Sequence, residues 1–125
     1  MSQKKKVYIS FDFDQDKPLK DLLMAQCKLD NCPFDVIDGS LKEASPERDW
    51  EKKAFERIKR ADTVIVLLGY LTHRSPGVLK EVKMARSLGK RVIQITGHKD
   101  QKCPRIAGGG ILYKWTWENF HKLFP

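Results

Sequence analysis

A chain of 125 residues can bury one core of ordinary size, and a hydrophobic share of 41% argues against disorder. No apolar run nears the roughly 20 residues that span a bilayer, and Met1 to Lys6 leads into a strand without a signal-peptide core, so a cytoplasmic protein is expected. The formal charge of +8 comes from 24 Lys and Arg against 16 Asp and Glu that mostly alternate; without a nucleic-acid module motif, solvated helix faces are favoured over a nucleic-acid groove.

In chain order, Val7 to Phe11 is a short β-rich run that ends in the acidic stretch Asp12 to Asp16. From Lys17 to Leu29 the apolar residues Leu19, Leu22, Leu23, Cys27 and Leu29 follow a helical period. Asp16 is placed to cap that helix and Pro18 to sit in its first turn, where a missing N–H costs nothing. Phe34 to Ile37 reads as a second strand, followed by a polar loop from Asp38 to Ala44. Ser45-Pro46 opens a helix whose Trp50, Ala54, Ile58 and Ala61 recur every three or four residues.

Thr63 to Leu68 is apolar throughout, the mark of a strand buried on both faces, and is predicted to be the central one. After the loop Gly69 to Arg74, Ser75-Pro76 caps a helix carrying Val78, Leu79, Val82, Ala85 and Leu88, which Gly89 ends. Arg91 to Thr96 is a fourth strand and Ile111 to Lys114 a short edge strand, with an irregular stretch from Gly97 to Gly110 between them. Trp117 to Leu123 closes the chain as a helix.

Alternating strands and helices, without repeat or linker, predict right-handed βαβ units on one parallel sheet. The expectation is a single domain over residues 1–125, with its core from about 6 to 124. Its fold class is α/β: a flavodoxin-like three-layer sandwich with five strands in the order 2-1-3-4-5. Ligands of such folds bind beyond the carboxyl ends of the strands, at the switch point between the first and third.

The loops exclude several chemistries. A phosphoacceptor domain needs an aspartate at the end of the third strand, but that strand ends Leu67-Leu68-Gly69. Carboxylates after the first strand would repel a flavin phosphate, and neither a GxGxxG after a strand nor a Walker loop occurs. The cysteines Cys27, Cys32 and Cys103 form no CxxC pair, and the three histidines have no ligand spacing. Reduced thiols and no metal are expected.

The runs Val7 to Asp12, Ser40 to Ala44, Arg60 to Gly69 and Pro76 to Val82 resemble the bacterial TIR-like family, which includes the signal-producing proteins of the Thoeris antiphage system. The resemblance extends from Lys6 to Phe124. It implies cleavage of NAD between nicotinamide and ribose by a glutamate on the helix after the third strand, which by position is Glu81. Better-known TIR domains carry Trp or Cys shortly before that glutamate, where this chain has Gly77-Val78-Leu79-Lys80. On a helical wheel Glu81 falls at the margin of the stripe formed by Val78, Val82 and Ala85.

Topology supplies further candidates for substrate binding. Phe11 and Asp12 close the first strand, where backbone and ring are placed to hold nicotinamide riboside; Asp38 closes the second and is placed for hydroxyls. Tyr70, Thr72 and His73 border the cleft from the third strand. The implied protein needs no cofactor, because NAD is its substrate. It self-associates and reaches a separate effector through a nucleotide product, without membrane attachment. A non-catalytic assembly module contacting partners through Gly39 to Asp49 is the competing expectation, and deoxyribose transfer between nucleobases a third.

Overall fold

The computed structural model describes residues 5–11, 18–25, 33–37, 47–69, 72–96, 106, 110–114 and 116–123. Five strands form one sheet: β1 (Lys5–Ser10), β2 (Phe34–Ile37), β3 (Thr63–Leu68), β4 (Arg91–Thr96) and β5 (Ile111–Lys114). They lie in the order β2-β1-β3-β4-β5 and all pairs are parallel, with Ile9 opposite Ile65 and Ile65 opposite Ile93. The expected architecture is the one observed. Every residue of β3 is buried, which explains its unbroken apolar run.

Strand alternation divides the core into two layers. On one face Tyr8, Val64, Val66 and Leu68 pack under α2 (Glu47–Arg60) and α3 (Pro76–Ser87), which contribute Ala54, Ile58, Val78, Val82 and Ala85. On the other, Val7, Ile9, Phe11, Ile65, Leu67, Ile93 and Ile95 meet Leu23 of the helical segment α1 (18–25). Leu123 of α4 (Trp117–Leu123) packs against this second layer. Each fully buried aliphatic side chain contributes about 1.5–3 kcal/mol.

Local signals act where the sequence puts them. Ser75 caps α3 by accepting from Val78 N at 3.4 Å, with Pro76 in the first turn. The helix ends with Gly89 at φ +69 and Lys90 N bonded to Ala85 O at 2.9 Å. The helical period errs at two leucines: Leu79 of α3 and Leu22 of α1 face solvent, 36% and 50% exposed. Both sit just off the stripe, where an apolar residue is tolerated without being buried.

Between β4 and β5, one buried glutamine organises the backbone. Gln94 Oε1 accepts from Ile106 N at 2.8 Å, and its Nε2 donates to Gly110 O at 2.9 Å. Gly110 itself has φ +82, and a Cβ there would lie 1.8 Å from Val92 O. Only glycine permits that approach. At the amino-terminal end of the central strands, Asp62 ties the start of β3 to β1: Lys6 N donates to Asp62 Oδ2 at 2.9 Å. Among the described residues no helix is long and apolar enough to cross a membrane.

Candidate active site

β1 places Tyr8 and Ser10 two residues apart, so both side chains leave the sheet on the face that carries α3. Ser10 is the last residue of the strand, and Glu81 comes in the second turn of α3. The three meet. Tyr8 donates its phenolic O–H to Glu81 Oε2, and Ser10 Oγ donates to Glu81 Oε1 at 2.9 Å. Exposure is 1% for Tyr8 and nil for Ser10 and Glu81. The cluster therefore lies beside the topological switch point between β1 and β3, near their carboxyl ends.

Glu81 is thus more deeply placed than a margin of the apolar stripe. Its neighbours Val78, Val82 and Ala85 form the stripe itself, and β1 meets α3 closely enough to close over the side chain. Burying a carboxylate is costly unless hydrogen bonds compensate. Tyr8 and Ser10 supply two such bonds to its two oxygens. A wheel drawn for one helix cannot show a strand that contributes hydroxyls.

Of the other expected site residues, Asp12, Asp38 and Tyr70 lie outside the described residues. The Phe11 ring is not brought to Glu81: directly after β1 it continues the odd-numbered alternation and enters the opposite layer with Val7 and Ile9, with Lys20 Nζ 5.6 Å from the ring centre. Alternation forbids Phe11 and Ser10 to share a face. Its ring thus lies in a different layer from Glu81, and its backbone follows the last residue of the strand.

Thr72 begins the 3₁₀ turn Thr72–Arg74, fully buried. Its hydroxyl accepts from Gly69 N at 2.7 Å, and its carbonyl accepts from Ser75 N at 3.0 Å. These bonds shape the turn between β3 and α3 and so set where α3 begins. His73 follows, half-buried, and among the described residues its Nδ1 is buried without a hydrogen-bond partner. Also among the described residues, no three His, Cys, Asp or Glu side chains gather as metal ligands.

Sequence reasoning did not assign roles to Tyr8 and Ser10. Their signal is two hydroxyls at alternate positions of an otherwise apolar strand, both on the face that a helix must cover. Such residues need partners when buried. Chemically, a carboxylate fixed by two hydroxyls can face positive charge developing on a sugar ring, or attack its anomeric carbon.

No curated protein matches the chain in sequence. Among solved structures, the Clostridium botulinum CMP N-glycosidase BcmB is similar with TM-score 0.59 and 21% identity, over 95% of this chain and 97% of that one. A 2-desoxiribosyltransferase from Leishmania mexicana is similar with TM-score 0.57 and 17% identity over 75% of this chain. This chain spans 65% of the Leishmania enzyme's length. At these identities the likeness is one of fold. The sequence model described as the TIR-like domain of the Thoeris protein ThsB matches residues 8–102, most of the chain, from Tyr8 through β4. The chain belongs to the ThsB TIR-like domain family.

Proposed function

We propose that this protein breaks the N-glycosidic bond between nicotinamide and ribose in NAD and passes the ADP-ribosyl group to an acceptor, giving a nucleotide signal read by a separate effector. The observation that carries the reading is Glu81, buried beside the switch point between β1 and β3 and held by Tyr8 and Ser10. Membership of the ThsB TIR-like family supports it.

The step balances simply. The C1′–N bond breaks, its electron pair leaves with neutral nicotinamide, and positive charge develops on the ribosyl ring. The Glu81 carboxylate stabilises that charge. Water or a hydroxyl of the nucleotide then bonds to C1′ and loses its proton to solvent. Because Ser10 occupies one carboxylate oxygen, a ribose hydroxyl takes the place of the Ser10 bond when substrate arrives. Glu81 has no exposed surface, so substrate reaches its carboxylate only after a local rearrangement. A second copy completing the cleft would supply both the rearrangement and a drier site.

A second reading draws on the two similar structures, whose names state CMP N-glycosidase and 2-desoxiribosyltransferase activity. A carboxylate at this position serves cleavage of a nucleoside equally well. Incubating the protein with NAD, CMP and deoxynucleosides separately, and identifying products by mass spectrometry, decides between them. Nicotinamide release from NAD alone supports the proposal. Release of cytosine from CMP, or base exchange with deoxynucleosides and none from NAD, overturns it. Inertness toward all of them at any protein concentration leaves a non-catalytic assembly module.

A further inference from the structure

The flank of α2 that turns away from α3 carries a groove of about 520 Å³ lined by Lys52, Lys53, Glu56, Arg57 and Arg60. Four cations against one carboxylate give it a formal charge of +3. The opposite flank is already engaged, since Glu51 pairs with Lys80 of α3 at 2.5 Å. Between the two flanks lie the buried Ala54 and Ile58. The groove is therefore separate from the Glu81 cluster, which sits between α3 and β1.

Helix electrostatics explain part of this. Arg57, Lys59 and Arg60 lie in the last turn of α2, where cations favour the negative end of the helix. That account fits Lys59, which points to solvent, but not Arg57. Arg57 is half-buried, and among the described residues its Nη1 is buried without a hydrogen-bond partner. Arg57 also lines the groove, so turning its guanidinium outward would present this donor to an acceptor bound there. Its planar fork matches a phosphate group, to which two parallel N–H bonds can be made. Lys52, Glu56 and Arg60 follow one another at four-residue spacing, so Glu56 offsets part of their charge and leaves the Arg57 side of the groove the more positive. The volume lies within the roughly 300–1,000 Å³ of small-molecule sites.

We infer that this groove binds the diphosphate of a nucleotide through Arg57, at a site distinct from the Glu81 cluster. The inference stands whether or not NAD is cleaved. Titration calorimetry of the whole protein with inorganic pyrophosphate and with ADP, at low and at physiological salt, tests it. Both should bind, more weakly as salt rises. Arg57→Gln should weaken binding at least tenfold, Arg57→Lys should restore part of it, and Lys59→Gln should change it by less than twofold. Lys83→Gln, exposed on α3, should leave it unchanged. Circular dichroism reports whether each variant is folded. If Arg57→Gln is unfolded, Arg60→Gln takes its place, with a weakening of at least threefold expected.

Absence of binding at low salt overturns the inference. So does equal weakening by Arg57→Gln and Lys59→Gln, which would mean a diffuse surface field. Tight binding of a single-stranded oligonucleotide, with none of pyrophosphate or ADP, would make the groove a nucleic-acid surface and equally overturn it.

Discussion

Two buried polar side chains, Glu81 and Gln94, are each almost or wholly inaccessible, yet their bonds go to different kinds of group. Gln94 bonds to backbone: it accepts from Ile106 N and donates to Gly110 O. Those groups lie where no strand ladder serves them, between β4 and β5. The bonds that Tyr8 and Ser10 give Glu81 run from side chain to side chain and satisfy no backbone group. Gln94 thus does what the fold requires, because buried backbone groups without partners are expensive. The Glu81 bonds compensate a carboxylate that the fold itself did not need. The hydroxyl–carboxylate bonds of this cluster offset its own burial and join no strand ladder, which points to chemistry.

The largest effect expected from this contrast is on catalysis. Glu81→Gln keeps the shape but removes the charge, and should slow nicotinamide release about a hundredfold, or about 3 kcal/mol in the barrier. The amide can still accept from one hydroxyl and donate to the other, so stability should fall by only about 1 kcal/mol. Lys83→Gln, exposed on the same helix, is the control. Lys80 is unsuitable because its pairing with Glu51 joins α3 to α2. Equal rates for wild type, Glu81→Gln and Lys83→Gln, under conditions where wild type is active, would remove the catalytic assignment.

At Gln94 the expected effect is on folding. Gln94→Leu fills similar space but strands Ile106 N–H and Gly110 O, and should cost about 2–3 kcal/mol in urea unfolding. Gly110→Ala forces a side chain against Val92 O at positive φ and should cost about as much. Neither should change turnover per folded molecule. If Gln94→Leu is as stable as wild type, the backbone bonds matter little and the contrast with Glu81 collapses.

How much of this was legible beforehand follows from the range of the signals involved. The order 2-1-3-4-5 follows from local patterns: the apolar run of β3, the Ser75-Pro76 cap and the helical periods each act within a few residues. Glu81 was reachable through family resemblance. Its partners were not, because Tyr8 and Ser10 lie 73 and 71 positions from it in the chain. The Phe11 reading used the strand's end but not its alternation, which sends that ring to the other layer. Gln94 carries only a strand signal, since its backbone partners lie in a stretch with no periodicity to reveal them.

The smallest expected effect is the sharpest test of the contrast. In the triple variant Tyr8→Phe, Ser10→Ala, Glu81→Leu these three side chains become apolar with nearly the same volume. Removing one member alone strands the others, and each stranded group costs about 1–3 kcal/mol. Removing all three also removes the need for compensation, and exchanges of buried polar clusters for apolar ones are often neutral or stabilising. The triple variant should therefore unfold within about 1 kcal/mol of wild type in urea, while releasing no nicotinamide. By the same reasoning no single or multiple side-chain change at Gln94 can be neutral, because its partners are backbone groups that mutation cannot remove. A triple variant destabilised as much as Gln94→Leu would mean that the cluster holds β1 to α3 as a structural joint, and burial of Glu81 would then cease to argue for chemistry.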